Sequence, residues 1–205
     1  VPGETGITNS LIPPDAGWVS LKAMSMYQGF LYILDSGGNA VYRYAANGIQ
    51  FDAKPTLFFD QVVPDLADAV DIEVNGFELY ILKNNSQMIA CTYSPLKDYK
   101  ETECKDPAPF GDMRTAQEPQ PVVFPNAKFV QISMTPAPDS SLYLLDAKEK
   151  SIYHFSLQRN LQQIIYPRLK DDMDLGKLTP TAIAVSTGRI AYMAFDNLVY
   201  YSPLP

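Results

Sequence analysis

The feature that most constrains this chain is a short pattern that comes back. Residues 30–44 read FLYILDSGGNAVYRY: an apolar run, the polar turn Ser36-Gly37-Gly38-Asn39, and a second apolar run. The form recurs at residues 78–93 (ELYILKNNSQMIACTY) and 141–155 (SLYLLDAKEKSIYHF), with a worn copy, IAYMAFDNLVYY, at 190–201. Each first run carries a tyrosine, and Tyr32, Tyr80, Tyr143 and Tyr192 follow one another at spacings of 48, 63 and 49 residues. Strand-built repeats with periods of about 40–50 residues indicate propeller blades.

Each unit has neighbours of the right kind. A short alternating run and a turn precede it, at residues 22–29, 69–76, 129–140 and 181–188. Asn75-Gly76 is a two-residue hairpin signal, since a type I′ turn needs positive φ at both central positions. After the unit a fourth strand is expected, entered by Asn47-Gly48 in the first repeat and by Arg159-Asn160 in the third. Four antiparallel strands per repeat is the blade pattern. The chain is thus expected to be one all-β domain over residues 1–205, with blades near 18–60, 66–106, 127–168 and 179–205. The long spacing coincides with residues 105–125, which hold five prolines and read as an extended insertion between blades. The last blade lacks a strand, and residues 6–14 (GITNSLIPP), within the segment 1–14, are expected to supply it. The alternative is a piece of a six- to eight-bladed ring, which would leave open sheet edges. The opening VPGETG, without an initiating Met, reads as a mature or trimmed chain.

Charge removes several partners. A net charge of −7 and a pI near 4.6 offer no basic stripe for a phosphate backbone and no attraction to anionic membranes. No run of apolar residues is long enough to cross a bilayer as a helix.

Leu31-Tyr32-Ile33-Leu34-Asp35, followed by Gly38-Asn39, Val41 and Tyr44, resembles the NHL-type repeat of β-propellers. Asp146 and Asp196 stand near the place of Asp35 in later copies, whereas Lys83 takes it in the second, and Ala40 stands where that repeat usually has His or Arg. The resemblance implies the fold; proteins of this type include binding modules, lyases and lactonases.

Cys91 and Cys104 are the two cysteines. Folding their hairpin about Lys97-Asp98 sets them directly opposite one another, which suits a disulfide and hence an extracytoplasmic setting. The one histidine, His154, sits in a strand pattern with no partner for nucleophilic chemistry beside it, and reads as an ordinary strand residue. Asp65, Asp68 and Asp71 are the densest acidic set before an inner strand and are the candidate ligands for Ca2+ on the rim. The acidic run at residues 171–177 reads as a solvated loop. Ser25, Asp71, Glu73, Gln131 and Ser133 alternate along inner strands and are expected to face a central channel.

The leading expectation is a non-enzymatic binding or scaffold propeller for a protein or glycan partner. Its candidate contacts are Phe110 and Arg114 of the insertion, with Asp68, Asp71 and Glu73. The alternatives are a propeller hydrolase or lyase with a metal held by Asp71 and Glu73, and a structural subunit that completes a ring or filament by self-association.

Overall fold

A computed structural model describes residues 10–59, 62–76, 78–93, 102–115, 117–135, 140–167, 175–176 and 178–204. These residues form strands and connections, with no helix, arranged as a four-bladed β-propeller. Blade 1 is β1 (Leu21–Tyr27), β2 (Phe30–Asp35), β3 (Ala40–Ala45) and β4 (Thr56–Leu57); blade 2 is β5 (Ala69–Asn75), β6 (Glu78–Lys83), β7 (Met88–Tyr93) and β8 (Thr102–Lys105). In both, neighbours in sequence are neighbours in the sheet and run antiparallel.

Blade 3 differs from expectation. Its four strands are β11 (Phe129–Met134), β12 (Leu142–Asp146), β13 (Ser151–Phe155) and β14 (Asn160–Ile165). The proline-rich insertion then extends this sheet: β9 (Phe110–Asp112) pairs parallel with β14, and β10 (Gln120–Val122) closes the edge, giving the order β10-β9-β14-β13-β12-β11. Proline is tolerated on such an edge because its missing N–H can face outwards. Gly111 permits the approach, since a Cβ there would run into the Asn160 side chain and the Pro119 ring. Blade 4 has three strands among the described residues, β15 (Ala182–Val185), β16 (Ile190–Phe195) and β17 (Leu198–Pro203).

Alternation within each strand puts apolar side chains on both faces of a blade, and blades stack face to face. One core lies between blades 1 and 2, with Tyr32, Leu34 and Val41 against Ile72, Val74 and Ile81. A second joins Tyr80, Leu82 and Met88 to Ile132, Leu144 and Tyr153, and a third joins Tyr143, Leu145 and Ile152 to Ile183, Ala191 and Met193. The innermost strands touch in succession, β1 to β5, β5 to β11 and β11 to β15, while β15 and β1 make no contact. The outer face of blade 1 is instead lined by Leu11, Trp18 and Phe51.

Two local expectations shift by small amounts. Asn75 pairs with Glu78 as the last ladder residue, so Asn75 belongs to the strand and the chain reverses after it, from Gly76 (φ 63°). The predicted long fourth strand of blade 1 narrows to Thr56–Leu57, after Pro55, with Phe59 turned into the core. Cys91 and Cys104 are directly opposed across β7 and β8, with Cα atoms 4.0 Å apart, and form a disulfide. The expected turn at Lys97-Asp98 lies outside the described residues.

Candidate functional site

The polar residues expected to line the channel are brought together, and most of them hold one blade to the next. Ser25 on β1 donates its hydroxyl to Glu73 Oε2 at 2.7 Å and accepts from the Val74 N–H at 3.3 Å. Asp71 on β5 accepts from the Ile132 N–H at 2.7 Å and from its own neighbour Ile72 at 3.0 Å. Gln131 on β11 accepts from the Ile183 N–H at 2.6 Å. Ser133 is buried beside them. Each of the three seams therefore carries a side-chain oxygen from one inner strand on a backbone N–H of the next, satisfying a donor that would otherwise be costly to bury. Burial raises Asp71 to about 6, against the pull of its two backbone donors. Burial also raises Glu73, to about 7, with the Ser25 hydrogen bond opposing and the charge of Asp71 reinforcing the rise.

The rim acids work separately. Asp65 accepts from the Ala67 N–H at 3.0 Å, and Asp68 from the Asn84 amide at 3.1 Å, while Asp71 faces blade 3. Among the described residues no three His, Cys, Asp or Glu side chains converge in an arrangement that would hold a metal ion. The acidic run at 171–177 lies almost wholly outside the described residues. His154 stacks on Tyr143, ring centroids 4.6 Å apart and 9° from parallel; burial, and next the charge of Arg189, hold it below the usual imidazole range.

Phe110 and Arg114 are occupied within the insertion. The Phe110 ring lies 5.1 Å from Phe155 and 5.5 Å from Phe124, part of the core between blades 2 and 3. Arg114 forks onto Asp112, Nη2 to Oδ2 at 2.7 Å.

The repeated aspartate has a backbone role that sequence reasoning did not assign. Buried Asp35 accepts from the N–H groups of Val19 (2.9 Å), Ser20 (2.7 Å) and Gly38 (3.0 Å). Burial works to raise its pKa, but these donors and Gly37 outweigh it and hold the carboxyl below its ordinary value. Asp146 repeats the motif with Lys128, Lys148 and Glu149. In blade 4 the matching position is Phe195, and Asp196 lies one residue further, in the turn. Asn39, from the same motif, accepts from the Leu66 N–H at 2.8 Å and ties the turn to the entrance of blade 2.

Sequence reasoning also missed a groove. Between blades 3 and 4 is a cavity of about 740 Å³, lined by Gln163 and Ile165 of β14, Tyr166, Met193 of β16, Tyr200 and Leu204. It borders the outer strand of blade 4. In blades 1–3 the third strand pairs with a fourth; β17 has no such partner among the described residues. Tyr201 and Tyr166, which line it, are exposed. The expected missing strand of the last blade was the one signal that pointed here.

No protein-family model matches the chain, and no curated protein sequence does. Solved structures resemble it in fold. A streptogramin B lyase structure is 13% identical, covering 96% of this chain and 72% of that one at a TM-score of 0.51. PorZ, a surface component of the type-IX secretion system of Porphyromonas gingivalis, is 11% identical over 93% of this chain, at a TM-score of 0.49. The match takes in 21% of PorZ, so this chain spans about a fifth of it. YCF48, solved bound to a D1 peptide, is 10% identical, covering 95% of this chain and 67% of that one at 0.45. The first of these likenesses supports the propeller fold; the resemblance to NHL-type repeats goes no further than that fold.

Proposed function

We propose that the chain is an extracytoplasmic, non-enzymatic binding or scaffold propeller that accepts an extended protein segment as the fourth strand of its last blade. The observation that carries this reading is the groove beside β17, in the place that a fourth strand fills in blades 1–3. A strand added there gains main-chain hydrogen bonds from the edge, and the apolar groove takes its alternate side chains. A protein segment suits this lining of isoleucine, methionine and tyrosine better than a glycan does. The Cys91–Cys104 disulfide supports the extracytoplasmic setting, because such bonds persist in oxidising compartments. The polar side chains at the axis are spent on joining blades, which favours binding over catalysis.

The test is selection of a displayed random-peptide library against the chain, followed by NMR mapping. Selected peptides should alternate apolar and polar residues and shift amides of β17 and β14. Tyr166→Ala should weaken them by about tenfold, a loss of ~1.4 kcal/mol. Peptides that map to another surface, or that are indifferent to Tyr166→Ala, would overturn the assignment.

A further inference from the structure

The strand registers align the four blades position by position, and one position sets the last blade apart. On one face of every blade, the second and third strands place two side chains directly opposite each other. The pair is Leu31/Tyr44 in blade 1, Leu79/Cys91 in blade 2, Leu142/Phe155 in blade 3 and Ala191/Ser202 in blade 4. In blades 1–3 all six of these side chains are buried. The fourth strand adds to the layer in two of them: Cys104 opposite Cys91, bonded to it, and buried Leu161 opposite Phe155.

Blade 4 has small side chains at both of its positions. Alanine stands in place of leucine, and serine where blades 1 and 3 have an aromatic ring. The next pair along the same face keeps its size, with Met193 and Tyr200 where blade 3 has Leu144 and Tyr153. Ala191 and Ser202 both line the cavity of about 740 Å³ between blades 3 and 4. That cavity thus occupies the place that a leucine and an aromatic ring fill in blade 3. Among the described residues no charged side chain lines it, so a charged group entering it would be desolvated without a partner.

We infer that the segment accepted by blade 4 carries an aromatic side chain opposite Ser202, and that Ala191 and Ser202 select it. This rests on the strand-accepting reading above and names the chemistry of its partner. Third and fourth strands run antiparallel in blades 1–3, so the segment runs antiparallel to β17. Its residue opposite Ser202 stands where Leu161 stands in blade 3 and shares the face that carries Ala191. A leucine there would match Leu161 and leave the place of the Phe155 ring unfilled. An aromatic side chain fills both, and unfilled apolar space forfeits packing contacts along its lining. The Ser202 hydroxyl donates to Pro203 O at 3.1 Å, so the segment need not supply an acceptor for it.

Selection of the displayed library against wild type and Ser202→Phe in parallel tests the inference. Wild-type peptides should carry Phe, Tyr or Trp at one fixed position, with NMR contacts from its ring to the Ala191 and Met193 methyl groups. Replacing that residue by alanine should weaken the peptide about thirtyfold, the scale of an interface hot spot. Ser202 is exposed, so Ser202→Phe should melt as wild type does and select peptides with a small residue at that position. Ala191→Leu should shift the selection the same way, and it keeps the test open should Ser202→Phe not fold. Peptides that map to β17 with no aromatic preference, or that bind both variants as tightly as wild type, overturn this inference and leave the strand-accepting reading standing. If no selected peptide maps to β17 on any of the three proteins, both readings fall.

Discussion

Replacing Glu73 by glutamine should stabilise the protein, and should do so only where the carboxyl would be charged. The carboxyl has an ordinary pKa of 4.5 and is raised to about 7 in the fold, mainly by burial. A raised acid binds its proton more tightly in the folded than in the unfolded chain. Its contribution is thus fully present below the unfolded value and is lost as pH rises through the folded one. At about 1.4 kcal/mol per tenfold difference, wild type forfeits ~2 kcal/mol at pH 6 and ~3 kcal/mol at pH 8, and almost nothing at pH 4. Glutamine keeps an acceptor for the Ser25 hydroxyl, 2.7 Å away in wild type, so the packing link survives. Thermal unfolding of both proteins from pH 4 to pH 8 reads the difference, which for a chain of this size is about 6–12 °C at pH 8. A gain that is the same at pH 4, or no gain at pH 8, would refute the claim that this carboxylate is charged at a cost in the channel.

Asp35→Ala leaves three backbone donors without their acceptor and should cost about 3 kcal/mol or more, read by chemical denaturation. Cys91→Ser with Cys104→Ser opens a loop with a sequence separation of 13 residues and should cost ~3 kcal/mol by loop entropy. Phe110→Ala should cost about 3 kcal/mol, whereas Val123→Ala, at an exposed position on the same insertion, should be close to neutral. A neutral Phe110→Ala would mean that the insertion is not part of the blade 3 core.

The propeller was legible because its middle hairpin repeats with little change: Leu-Tyr-Ile-Leu-Asp at 31–35 and Leu-Tyr-Leu-Leu-Asp at 142–146 differ by one residue. The disulfide followed from counting along one hairpin, a local problem. Alternation also found the channel residues, but the bonds from Ser25, Asp71 and Gln131 run to other blades, and no local pattern encodes a partner about fifty residues away. The strands of the insertion were not legible because prolines hide them: β9 and β10 are three residues each, β9 held by pairing with β14 and β10 by pairing with β9. Phe110 looked available for binding for the same reason, since its ring partners come from three separate segments. The worn fourth repeat signalled the missing strand, whereas the groove that results forms only when blade 3 is set against it.

Amide hydrogen exchange with and without a library-selected peptide tests the account most directly. The N–H groups of Val74, Ile132 and Ile183, held across the seams by Ser25, Asp71 and Gln131, should exchange only on global unfolding in both samples. The outer edge of β17 should exchange rapidly in the free protein and slow down once the peptide is bound. Axis amides that exchange like loops, or a β17 edge as protected without the peptide as with it, would contradict the account.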